Sequence, residues 1–195
     1  MRIAVCSSSG DTDSLPDDQN WIDFFNSLEC KIDYFSHSWN TNNLSMKTVN
    51  SKIDFDEKFK QVSSSFPEHT SFYSFMQSAN LKRQHEISNN FLYDVCISID
   101  YTVRFDHNTL TMFKSSMTKP KHNFVYTFNS ELVGQHPYFK LNHHLFFSDS
   151  LTFDKLSQFY RFMPLIETAT TPKLLWGFYI KMLKIRNKNN ILPNL

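Results

Sequence analysis

Ile3-Ala4-Val5-Cys6, followed at once by Ser7-Ser8-Ser9-Gly10, is the stretch on which the fold is read. An unbroken apolar run of this length can be covered on both faces only inside a sheet, which points to a buried parallel strand of an α/β protein. The change to small polar residues marks its carboxyl end. Ligands of open α/β sheets bind beyond the carboxyl ends of strands, so the Ser7–Asp13 loop, with Ser8 and Ser9 at its head, has the position of a binding loop. A plain polar connection reads the same way, and no G-x-G-x-x-G pattern decides between them.

Working outward, Trp21, Phe24, Phe25 and Leu28 recur at helical spacing, and Asp17 or Asp18 can cap that helix. Cys30–Ser36 alternates as a second strand, with His37-Ser38-Trp39 just past its end. The polar stretch around 40–52 reads as an insertion, and Phe55–Val62 as a short helix. Ser71–Asn90 is the clearest helix, with an imperfect face through Phe72, Phe75, Met76, Ala79, Leu81, His85 and Ile87. Lys82 and Glu86 form a charge pair four residues apart on it. Val95–Ile99 is the best central strand, and it delivers Asp100 to its carboxyl end. Leu110–Ser116 reads as helix or turn, and Asn123–Phe128 and Leu145–Ser148 as strands. Leu151–Thr168 reads as a helix kinked near Pro164, and Pro172–Met182 as a helix opened by proline. Ile185–Leu195 is expected to fray. This order predicts α/β architecture: a single three-layer domain over 1–195 with a mostly parallel central sheet, one or two edge strands running antiparallel, and a loose C-terminal end.

Composition excludes several function classes. The chain has 195 residues, 41% of them hydrophobic and 20% charged, as an ordered globular protein does. Three glycines, at 10, 134 and 177, cannot build a P-loop, and there is no nucleophile elbow. Cys6, Cys30 and Cys96 show no C-x-x-C spacing, which argues against zinc and suits a reducing, cytoplasmic setting. No run approaches the roughly 18 apolar residues of a membrane span, and no signal peptide is visible. A net charge of +1 gives no overall footprint for nucleic acid, although Lys181, Lys184, Arg186 and Lys188 are locally basic. The 20 phenylalanines exceed ordinary usage, and some of them are candidates for a partner or self-association surface.

Asp100 is the first candidate for chemistry. A carboxylate directly after a buried strand can hold a divalent cation that bridges substrate phosphates, or it can cap a turn. Asp106-His107-Asn108 can supplement it or form a hairpin tip. His143 and His144 point to opposite faces if the chain there is regularly extended, so one of them can face a cleft as base or phosphate donor. Asp149 follows across the next strand. His37 and Trp39 can contact a base or sugar, or close the sheet end.

In their order along the chain, several stretches resemble a family of small glycosyltransferase-like proteins of viruses and bacteria. They are Met1–Gly10, Asp33-Tyr34-Phe35-Ser36-His37-Ser38-Trp39, Tyr73–Asn80, Tyr93-Asp94-Val95-Cys96-Ile97, Leu145–Ser150 and Pro172–Ile185. The resemblance implies a GT-A-like nucleotide-diphospho-sugar transferase fold, and a glycosyltransferase moving sugar from a nucleotide-sugar donor to an acceptor. It implies a cation, Mn2+ or Mg2+, held by Asp100. Ser8, Ser9, His37 and Trp39 would contact the donor, and Asp149 would lie on the acceptor side. The family's central strand runs on as Arg-x-Arg-x-Asp; Ser98, Asp100 and Thr102 stand there instead. The alternative is a catalytically inactive transferase-like binding or regulatory protein of viral origin, acting in a host cytoplasm.

Overall fold

Four apolar residues in succession do form the buried strand. In β1 (Arg2–Ser8), Ile3, Ala4, Val5 and Cys6 are all fully buried, Ile3 and Val5 on one face and Ala4 and Cys6 on the other. The computed structural model describes residues 1–8, 19–38, 47–50, 68–100, 106–117, 119–129, 141–163 and 172–188. Within them β1 is flanked by β2 (Lys31–Ser38) and β4 (Val95–Asp100), both parallel to it. β3 (Lys47–Asn50) pairs parallel with the far side of β2. Part of the expected polar insertion is therefore an edge strand.

On the other side, β6 (Leu141–Ser148) runs antiparallel to β4 and to β5 (Phe124–Asn129), and β7 (Arg186–Lys188) closes the sheet parallel to β5. The seven strands stand in the order β3-β2-β1-β4-β6-β5-β7. The sheet is mixed, and the reversed strand lies inside it rather than at an edge. Its position explains the error: β6 carries Leu145, Phe146 and Phe147 in succession, all buried, which is the same double-sided burial that identifies β1. β7 also stands where the first part of a frayed end was expected, and residues 189–195 lie outside the described residues. Lys184 takes φ 55°, and Ile185 N–H bonds back to the Ile180 carbonyl at 3.1 Å. That left-handed stop ends the preceding helix and turns the chain into the sheet.

Helices cover both faces. On one face α1 (Gln19–Asn26) and α3 (His107–Ser116) bring Phe24, Phe25, Leu110 and Phe113 onto Ile3, Val5, Ile97, Ile99 and Phe147. On the other face α2 (Glu68–Asn89), α4 (Ser150–Ser157), α5 (Phe159–Phe162) and α6 (Pro172–Met182) pack over Ala4, Cys6, Phe35, Cys96 and Phe146. The long helix expected after Leu151 is broken at Gln158 into α4 and α5. Pro164 and Phe55–Val62 lie outside the described residues.

The buried side of α2 runs Phe72, Phe75, Met76, Ala79, Lys82, Glu86. Its imperfect sequence pattern has a physical cause, since the last two core-facing positions are ionic while Ile87 is 72% exposed. The Lys82 ammonium lies 2.9 Å from Glu86 Oε2 and 2.8 Å from Asp154 Oδ1 as ion pairs, and it donates to Ser150 Oγ at 2.6 Å. Ser150 Oγ donates to Glu86 Oε1 at 2.6 Å, and that oxygen also accepts the Tyr93 N–H. Burial opposes the charge on Lys82, but the neighbouring Cys96, Asp154 and Glu86 more than reverse this and hold its pKa above the usual value.

Candidate functional site

Parallel register brings the carboxyl ends of the central strands together. Ser8, the last residue of β1, pairs with His37 of β2 on one side and with Asp100 of β4 on the other. Strand parity puts His37 and Asp100 on the α2 face, with Phe35 and Cys96. Because β6 is reversed, its beginning arrives at this edge. Ile99 pairs with Leu145, and one residue further on His144 meets Asp100.

His144 Nδ1 lies 3.0 Å from Asp100 Oδ2, with the carboxylate side chain 3% and the imidazole 26% exposed. An ionised carboxylate only accepts, so at this contact Nδ1–H is the donor. A buried carboxylate thus orients a partly exposed imidazole, the geometry of a general base.

His143 does not point to the opposite face as regular extension predicts. Its ring centroid lies 3.8 Å from that of His144 and 5.3 Å from that of Phe72, on which it stacks. The cause is a register shift: Thr127 pairs with Phe146 but Asn129 with Leu141, so two steps on β5 span five on β6. The excess residues form a bulge, which re-aims side chains.

His37 lies under this edge rather than on it. It is 1% exposed, with Nδ1 3.1 Å from Ser74 Oγ of α2 and the Tyr73 ring edge-on at 5.4 Å. Burial lowers its pKa to about 4, so the ring is neutral at physiological pH and pairs through hydrogen bonds rather than charge.

Asp149 is not brought to this edge. It follows the far end of β6, where Ser148 pairs with Cys96, and it caps α4 by accepting the Leu151 and Thr152 N–H groups, each at 3.1 Å. The Thr152 hydroxyl and His122 also contact it. Asp106 likewise caps α3, accepting from Thr109 N–H at 2.7 Å, where a hairpin tip was one expectation. The Ser8 side chain, Ser9 and Trp39 lie outside the described residues. Sequence reasoning missed Ser74 and the pairing of His144 with Asp100. Extending β6 back to Leu141 and pairing it antiparallel with β4 would have found the second.

A cavity of about 540 Å³ lined by Arg83, Glu86, Ile87, Leu92, Leu151 and Asp154 lies at the opposite end of the sheet, beside the Lys82 cluster. Among the described residues no group of three His, Cys, Asp or Glu side chains is disposed to hold a metal ion. One carboxylate already engaged by an imidazole does not fit a divalent cation by itself, so no step is derived through one.

No family profile matches the chain, and no curated protein does either. Solved structures do. The crystal structure of a glycosyltransferase involved in the glycosylation of the major capsid of PBCV-1 superposes with a TM-score of 0.52 at 11% identity, covering 96% of this chain and 81% of that one. The fold is glycosyltransferase-like. The similarity spans both the parallel half of the sheet and the half containing the reversed strand. No helix among the described residues is long and apolar enough to cross a membrane.

Proposed function

We propose that the chain is a glycosyltransferase of the GT-A kind, taking sugar from a nucleotide-sugar donor at the carboxyl edge of β1, β2 and β4. The observation that carries this reading is the Asp100–His144 pair at that edge of a glycosyltransferase-like sheet. His144 Nε2 takes the proton from an acceptor hydroxyl as its oxygen attacks the anomeric carbon. The bond from that carbon to the diphosphate breaks, and the nucleoside diphosphate leaves with the electron pair. Asp100 accepts Nδ1–H throughout and stabilises the imidazolium that forms. His37 and Ser74 support the floor beneath the donor.

Calorimetric titration with uridine and guanosine diphosphate sugars, with and without manganese, tests the reading, together with an assay for release of nucleoside diphosphate. Binding of one donor class is expected. Replacing His144 by Gln should lower kcat by about 10²–10⁴ with little change in KM, the ordinary contribution of a positioned base. The absence of binding across the panel defeats the proposal. Binding without turnover, unaltered by His144→Gln, would leave the inert transferase-like protein as the better account.

A further inference from the structure

Six large hydrophobic side chains are exposed among the described residues, and three of them, Ile87, Leu92 and Leu151, line the cavity beside the Lys82 cluster. They are 72%, 56% and 49% exposed, so they form an open rim rather than an enclosing wall. A pocket for a small ligand buries most of that ligand's surface. A rim this open is covered only by something broader, the surface of another protein. The rim also carries charge of both signs. Glu86 and Asp154 line it with two carboxylates, against which the cluster sets the single ammonium of Lys82. Asp154 is partly exposed, and burial holds its pKa above the usual value in spite of Lys82, so a second cation beside it is favourable. Arg83 lines the same cavity, is exposed, and forms no salt bridge among the described residues.

We propose that this rim is the contact between two copies of the chain, related by a two-fold axis that runs between Arg83 and Asp154. In a two-fold contact residue i meets residue j and j meets i, so a surface fits itself only if it carries both halves of each pair. This rim does. Arg83 of each copy reaches the partner's Asp154, and Ile87, Leu92 and Leu151 leave water against their counterparts. The mixed charge is what selects a second copy as the occupant. A partner surface of one sign meets a like charge, at Arg83 or at Asp154, and like charges brought together across an interface are costly. A second copy supplies both charges in the complementary order by symmetry. The proposal does not depend on the transferase reading, and its test needs no sugar donor.

The test is sedimentation velocity of the full chain over a series of concentrations. A monomer–dimer equilibrium is expected, and it should shift toward monomer as salt rises. Arg83→Glu, and separately Ile87→Ser with Leu92→Ser, should each raise the dimer dissociation constant about tenfold or more. Unaltered chain mixed with the Arg83→Glu variant should pair with intermediate strength, because one of the two Arg83–Asp154 contacts survives. Met182→Ser, at an exposed apolar site elsewhere, should leave the equilibrium unchanged. Hydrogen exchange of the unaltered protein gives an independent reading should a variant misfold: protection of the amides from Ile87 to Leu92 should rise with concentration. A chain that stays monomeric up to about 1 mM overturns the proposal. So does a dimer indifferent to Arg83→Glu and to the apolar double variant, and so does growth into open-ended assemblies, which a two-fold contact cannot form.

Discussion

Helix α2 serves two polar clusters, and only one of them has the form of a reactive site. Toward its amino end, Ser74 holds His37 beneath the carboxyl edge, where Asp100 holds His144. Toward its carboxyl end, Lys82, Glu86, Asp154 and Ser150 form a knot of charge inside the protein. The second cluster is the more heavily charged. It is also paired internally, because the ammonium lies against oxygens of Glu86, Asp154 and Ser150. The first has fewer charges but a more exposed member, His144 at 26% against 16% for Asp154. Buried charge alone is therefore a poor guide to function here. Position at the ends of parallel strands, with one exposed group held by one buried group, is the better guide.

The sharpest way to break this contrast is at Lys82. Lys82→Ala leaves buried Glu86 and half-buried Asp154 without their counter-ion and should cost about 3–5 kcal/mol in chemical denaturation. Replacing Lys82, Glu86 and Asp154 together by apolar residues of similar volume should cost much less. If the single variant proves nearly neutral, the knot is not the internally paired structural unit described.

A smaller effect is expected at His37. Its folded pKa of about 4 lies below the ordinary 6.5, so between those values the unfolded chain binds the extra proton. Stability from this group is present above pH 6.5 and is lost as pH falls toward 4, by up to about 3 kcal/mol. Melting temperatures across that window should show a slope that His37→Asn flattens; an unchanged slope would assign the acid sensitivity elsewhere. Smallest is Asp149→Ala, which removes a helix cap and should cost about 1 kcal/mol. If Asp149 acts only at the far end of the sheet, donor titrations should not register its loss.

The apolar runs made the centre of the fold readable. Burial on both faces of a strand needs consecutive hydrophobic residues, and Ile3–Cys6 and the stretch around Val95–Ile99 supply them. The direction of β6 was not readable, because a strand buried on both faces carries the same residues whichever way it runs. β3 and β7 escaped because short edge strands need only their backbones to pair, and Lys47–Asn50 and Arg186–Lys188 are polar. Within the candidate site, Asp100 was readable from its place after a buried strand. The pairing of His144 was not, since it depends on a reversed neighbour and a bulge, both tertiary facts. Asp149 looked functional for an ordinary reason: helix caps and catalytic acids favour the same residue just after a strand.

The ionic knot on α2 also acts on orientation. Each residue of an α-helix turns it by about 100°, so rolling α2 by one position would swing the Lys82 ammonium away from both carboxylates. A purely apolar stripe tolerates such a roll, whereas three charges in fixed contact do not. Ser74 shares the same rigid cylinder, two turns earlier. The knot therefore works as an alignment pin, and the aim of Ser74 at His37 is set from the opposite end of the helix.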